Sequence, residues 1–172
     1  YNKLIIINPT VDVGNEDKLG YLPGELDKKI QQYNESTFTI LDKIVGKARA
    51  TKMVSDNKLE IGVVNFLRGV NLENCYVILD EAQNISPMQI KTLVTRISEG
   101  CKMIIQGDMS QCDKYKANGS IAYEKSGFYD MWFRTKEMKG VSHMAFDRED
   151  CVRDPLVKRI LETYETEQPI EL

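Results

Sequence analysis

Two adjacent carboxylates, Asp80 and Glu81, follow directly on a four-residue apolar run, Tyr76 to Leu79. The pair suits a nucleotide-hydrolysing site: one carboxylate can hold hydrated Mg2+ while the other polarises an attacking water. Further on, Met103-Ile-Ile-Gln-Gly107-Asp108-Met-Ser-Gln111 repeats the pattern, an apolar run that stops at Gly-Asp with a glutamine three residues later. An amide at such a tip can bond both a phosphate oxygen and a water. Taken singly, the first pair also fits an ordinary polar strand end and the second an ordinary turn. Two such ends separated by one capped helix are far less expected by chance.

The elements that must position these residues follow from pattern. Short apolar runs bounded by polar residues read as strands buried on both faces, as in parallel sheets, and ligands there gather at the carboxyl ends of the strands. Such runs are Lys3 to Ile7, Leu59 to Val64, Tyr76 to Leu79, Met103 to Gln106 and Val141 to Phe146. Helical patterns alternate with them, so the class is α/β with a largely parallel sheet flanked by helices. Glu25 to Tyr33 and Phe38 to Ala48 read as two helices, the second with Phe38, Leu41, Ile44, Val45 and Ala48 on one face. Ser86 to Glu99 is the best-marked helix. Ser86 is its N-cap, Pro87 its first residue, Gln89 completes a capping box, and Ile90, Leu93, Val94 and Ile97 form its stripe. Asp154-Pro155 opens a last helix with Leu156, Val157, Ile160, Leu161 and Tyr164 inward.

Composition narrows the class. The chain has 172 residues and a formal net charge of -3, which fits one domain without a global basic field for coating nucleic acid. Cys75, Cys101, Cys112 and Cys151 are widely spaced, with His143 the only histidine, so neither a zinc site nor a disulfide framework is expected. They read as reduced core residues of a cytoplasmic protein, and no membrane-spanning or secretory signal is visible. The expected layout is one domain over 1–165, a surface insertion near 114–127 and a flexible tail over 166–172.

Several motifs in order carry a resemblance over nearly the whole chain. They are Asn8-Pro-Thr-Val11, Leu19-Gly-Tyr-Leu-Pro-Gly24, Leu67-Arg-Gly69, Val77-Ile-Leu-Asp-Glu-Ala-Gln83, Leu93-Val-Thr-Arg96, Gly107-Asp-Met-Ser-Gln-Cys-Asp113 and Asp150-Cys-Val-Arg-Asp-Pro-Leu-Val157. Together they resemble the PhoH-like family of P-loop ATPases, related to superfamily-one helicases. The resemblance implies a RecA-like P-loop NTPase core acting on ATP with Mg2+. It implies that Asp80 holds the metal through water, Glu81 is the catalytic base, and Gln83 places the water or relays nucleotide state. Gln111 would sense the γ-phosphate, Asp108 would order its turn, and Arg153 would act as an arginine finger across a subunit boundary. Arg68 and Arg96 would face phosphate or nucleic acid, although exposed salt-bridging arginines have the same pattern. The implied partners are RNA or single-stranded DNA and further copies of the chain in a ring, a hexamer above all.

Three departures qualify this. Asn8 stands where the family usually has arginine, and Asp154 stands where it commonly has histidine, setting negative charge beside Arg153. No Gly-x-x-x-x-Gly-Lys-Ser/Thr occurs anywhere. The first strand and phosphate loop are therefore expected upstream of Tyr1, in a unit of roughly 30 or more residues. That strand would be central to the sheet, so its loss should leave flanking strands unpaired. The competing reading is a non-catalytic module that keeps the fold, the oligomer contacts and nucleic-acid binding. Aromatics Tyr115, Tyr123, Tyr129, Trp132 and Phe133 could stack bases or simply pack; intrinsic nuclease activity is not expected.

Overall fold

The computed structural model describes residues 1–9, 25–63, 71–112, 116–117, 120–121, 125–147 and 149–165. Two compact units emerge, Tyr1–Thr135 and Lys136–Leu172. Arg68, the glycine-bearing segment Gly20 to Gly24, Tyr115, Tyr123, most of the expected insertion and the 166–172 tail lie outside the described residues.

The first unit is built on four parallel strands, β1 (Lys3–Asn8), β2 (Leu59–Val63), β3 (Cys75–Leu79) and β4 (Lys102–Ile105), in the spatial order β2-β1-β3-β4. This is the α/β, all-parallel arrangement that the apolar runs imply. Register pairs Ile5 with Val77 and Ile7 with Leu79, then Val77 with Met103 and Leu79 with Ile105. Paired residues share a face, so these six side chains form one layer. Against it pack Ile90 and Leu93 of α3 (Pro87–Val94) and Phe128 and Met131 of α4 (Gly127–Arg134). On the other side, helices α1 (Glu25–Val45) and α2 (Lys47–Ser55) cover the β2 side of the sheet, burying Ala50 and Leu59. A small antiparallel ladder, β5 (Lys116–Ala117) with β6 (Ser120–Ile121), completes the unit.

Helix boundaries differ from expectation in instructive ways. The polar stretch Asn34 to Thr37 does not end a helix; α1 runs through it and stops only at Gly46, whose φ of 84° breaks the helical path. Ala48 therefore belongs to a new helix, and Ile44 is exposed rather than on an inward stripe. Helix α3 has the expected cap, with the Gln89 amide donating to Ser86 Oγ at 3.3 Å and the Ser86 amide to Gln89 Oε1 at 2.9 Å. It ends at Val94, short of Glu99, because the chain turns to pair Leu72 with Ile97 in an isolated bridge, and Ile97 is exposed. Helix α4 was not foreseen. Its first residue, Gly127, lies so close to Ser86 that a Cβ would stand 2.5 Å from the Ser86 carbonyl oxygen.

In the second unit, α5 (Pro155–Glu165) starts as expected, with the Leu156 amide donating to Asp154 Oδ1 at 2.8 Å. Leu156 and Ile160, expected inward, are exposed. Val141 to Phe146 forms no strand, and its Met144 and Phe146 are exposed; alternation alone makes no ladder without a neighbouring strand to bond. The four cysteines form no disulfide, and Cys75 and Cys112 lie fully inside the core.

Candidate functional site

The site forms at the carboxyl tips of β3 and β4. The Asp80 amide donates to the Ile7 carbonyl at 2.9 Å, extending the ladder one residue beyond Leu79. The chain then turns sharply at Glu81, which takes a left-handed conformation, φ 49° and ψ 35°. A non-glycine residue there is strained by about 1–2 kcal/mol. The turn is held by the Glu81 amide on Asp80 Oδ1, 2.9 Å, and by a short 3-10 turn, Ala82–Asn84, all three residues of which are buried.

Strand β4 meets this tip through its own backbone. The Gln106 amide donates to the Leu79 carbonyl and the Ala82 amide to the Gln106 carbonyl, both at 2.9 Å. The Gln106 side chain reaches back across the gap, its Nε2 donating to Asp80 Oδ1 at 2.8 Å. Gly107 follows where only glycine fits: a Cβ would stand 2.7 Å from Gln83 Oε1 and 3.0 Å from the Gln83 nitrogen.

That close approach gives Gln83 its place. Fully buried, it donates from Nε2 to Glu81 Oε2 at 2.6 Å and accepts the Asp108 amide on Oε1 at 3.1 Å. Its carbonyl accepts the Cys112 thiol at 3.3 Å. One amide thus ties the carboxylate on the β3 tip to the turn on the β4 tip. Asp108 caps that turn, Met109–Gln111, accepting the Ser110 amide and hydroxyl on Oδ1 at 2.9 and 2.6 Å and Gln111 Nε2 on Oδ2 at 2.7 Å. Partial burial pushes the Asp108 carboxyl up, but the bonds from Ser110 and Gln111 outweigh it and hold the group below the ordinary aspartate value.

The structure therefore joins Asp80, Glu81, Gln83, Asp108 and Gln111 in one hydrogen-bonded network. Arg96 is not part of it. It follows the end of α3, and its carbonyl accepts the Leu72 amide ahead of β3, at the opposite end of the sheet from Asp80. There its Nε is buried without a hydrogen-bond partner among the described residues. Arg153 is an exposed residue of the second unit, ahead of α5. Asn8 is buried and turned to α1, donating to Thr37 Oγ1 at 3.5 Å. Of the aromatics, Phe128 packs on the core, and the rings of Phe128 with Trp132 and Tyr129 with Phe133 contact each other. Sequence reading missed Gln106, whose only signal was a polar residue closing an apolar run.

Among the described residues no three His, Cys, Asp or Glu side chains converge to cage a metal. A single carboxylate with an oxygen to spare nonetheless fits Mg2+, which keeps much of its water and takes its other ligands from phosphate. Asp80 Oδ2 accepts no hydrogen bond among the described residues, since both bonds go to Oδ1. No helix among them is long and apolar enough to cross a membrane.

Comparison with known proteins agrees with this architecture. A family profile described as PhoH-like protein matches residues 1–165. The PhoH-like protein of Bacillus subtilis is 37% identical over 163 residues, 95% of this chain and 49% of that protein. The PhoH-like protein of Synechocystis sp. is 35% identical over 164 residues, 95% of this chain and 48% of its own length. Protein PhoH of Escherichia coli is 32% identical over 165 residues, 95% of this chain and 44% of its own. The chain spans about half the length of these relatives. With its α/β parallel sheet and the motifs at the tips of β3 and β4, it belongs to the PhoH-like protein family.

Proposed function

We propose that the complete protein to which these residues belong binds and hydrolyses ATP with Mg2+, and couples the cycle to remodelling of RNA or single-stranded nucleic acid in a ring of like subunits, a hexamer above all. The observation that carries this reading is the network from Asp80 to Gln111 across two neighbouring strand tips. Asp80 would hold a water of the hydrated metal through Oδ2. Bound there, Mg2+ would neutralise charge on the β- and γ-phosphates. Glu81, its Oε2 fixed by Gln83, has Oε1 left to accept the proton of the water that attacks the γ-phosphate. Gln111 spends one Nε2 hydrogen on Asp108 and has the other for a phosphate oxygen.

The sheet supports the reading as well. Among the described residues β4 pairs only with β3, and beside that free edge Ile104 is 37% exposed on the face opposite the core layer. All-parallel sheets are covered on both faces. A strand, phosphate loop and helix supplied by the rest of the protein would pair the edge and cover the face. Arg153 would complete a neighbouring subunit's site, and a cytoplasmic location accompanies this role; Arg153→Ala should then lower turnover only in the assembled ring.

The test is Glu81→Gln in the complete protein. Mg·ATP binding should persist while turnover falls by about 100-fold or more; unchanged turnover removes Glu81 as base. The second reading is a non-catalytic binding and oligomerisation module. It wins if the complete protein binds nucleic acid but shows no Mg2+-dependent ATPase.

A further inference from the structure

We infer that Gln106 is a positioning residue that leaves Asp80 a single oxygen for the cation, and so sets the site's preference for Mg2+ over Ca2+. The inference rests on the metal-binding reading of Asp80 given above. Its basis is the uneven load on the Asp80 carboxylate. Oδ1 receives the Glu81 amide at 2.9 Å and Gln106 Nε2 at 2.8 Å, whereas Oδ2 receives no bond from the described residues. A carboxylate oxygen has two lone-pair positions, so two donors occupy Oδ1. What remains is one oxygen, able to hold a cation directly or through water but not to chelate it with both.

Metal chemistry gives this asymmetry a consequence. Mg2+ demands near-octahedral geometry and retains water, which single-oxygen ligation allows; Ca2+ takes six to eight oxygens and readily uses both oxygens of a carboxylate. Blocking Oδ1 therefore penalises Ca2+ and leaves Mg2+ unaffected.

The backbone makes Gln106 suited to this. Its amide and carbonyl are both spent on the β3 tip, at Leu79 and Ala82, so the Cα cannot drift away from Asp80. The side chain lies on the same side of the sheet as Asp80, because register pairs Leu79 with Ile105 and the next positions continue it. Beside a carboxylate oxygen the amide must present its N–H, since its carbonyl oxygen would be repelled. A neutral donor also fixes the carboxylate without cancelling the charge that attracts the cation, as lysine or arginine would.

The experiment uses Mn2+ as an electron paramagnetic probe bound to the complete protein with a non-hydrolysable ATP analogue, displaced in turn by Mg2+ and Ca2+. In Gln106→Met, of similar length but without the donor, the ratio of Ca2+ to Mg2+ concentrations needed for displacement should fall roughly tenfold, the factor expected for one bond to a charged group. Gln106→His, which restores a neutral N–H at similar reach, should recover the wild-type ratio; a merely structural role would not produce that recovery. Should Gln106→Met fail to fold, Gln106→Asn, one methylene short of Asp80, carries the same expectation. An unchanged ratio in a folded variant, with Mn2+ binding still abolished by Asp80→Asn, overturns the role of Gln106 and spares the metal site. Mn2+ binding that survives Asp80→Asn overturns the metal-site reading and this inference with it.

Discussion

Replacing Gln83 by leucine separates the two strand tips chemically while nearly preserving volume. The substitution removes a 2.6 Å bond to the Glu81 carboxylate, worth about 1.5–3 kcal/mol for a charged acceptor. It also leaves the Asp108 amide without its 3.1 Å partner, a further 1 kcal/mol or so at this half-open position. Burying leucine in place of an amide recovers part of that loss, so the net destabilisation is about 2 kcal/mol. In a chain of this size that lowers the melting temperature by roughly 4–8 °C. Glu81 would keep its charge but lose its fixed direction, and a misplacement near 1 Å costs turnover about 100-fold. Thermal melts followed by circular dichroism, and Mg2+-dependent ATPase of the complete protein, read the two effects separately. A leucine variant with unchanged melting temperature and turnover would refute Gln83 as the link.

Two further outcomes follow from the same geometry. Gly107→Ala drives a Cβ against the Gln83 side-chain oxygen at 2.7 Å and its backbone nitrogen at 3.0 Å, and should cost about 1–3 kcal/mol; an unshifted urea midpoint would contradict that crowding. Because the Asp108 carboxyl is held below its ordinary value, its contribution to stability is complete above the unfolded value of about 3.9 and is lost as pH falls through the lower folded one. Asp108→Asn should therefore flatten the acid limb of the stability curve below about pH 4, as urea midpoints at successive pH values would show, and parallel curves for variant and wild type would exclude the effect.

The parts of this fold legible in sequence are those where one residue type has one physical use. Apolar runs ending at Asp80 and at Gly107-Asp108 are hard to place except on strands of a parallel sheet, although of the two only β3 is buried, and Ser86-Pro87 with Gln89 spells a helix start. The illegible parts depend on what lies opposite. Asn34 to Thr37 look like a helix end because their side chains compete for backbone bonds, yet α1 continues through them and Gly46 ends it. Ile97 keeps helical spacing with Leu93, but the pull of Leu72 ends the helix first. Val141 to Phe146 alternates like a strand but joins no strand ladder among the described residues. At the site, nothing in Asp80-Glu81-Ala82 announces a left-handed glutamate, and Gln106 reads as one more polar residue at a strand end.

What unites the site is the choice of partner for each acid. Glu81 is held by Gln83, Asp80 by Gln106 and Asp108 by Gln111, at 2.6, 2.8 and 2.7 Å. Lys3 with Glu60 and Arg134 with Asp130 form ion pairs, but these lie on other elements. A lysine or arginine would orient a carboxylate equally well, but on the proposed function it would also compete with the cation and lower the basicity of the carboxylate assigned as base. An amide donor fixes direction and leaves the negative charge in place. Three acids so restrained, on strand tips that cannot move apart without breaking Leu79 and Ala82 from Gln106, form a rigid electronegative edge. On the function proposed above, such an edge would suit a hydrated cation and an attacking water.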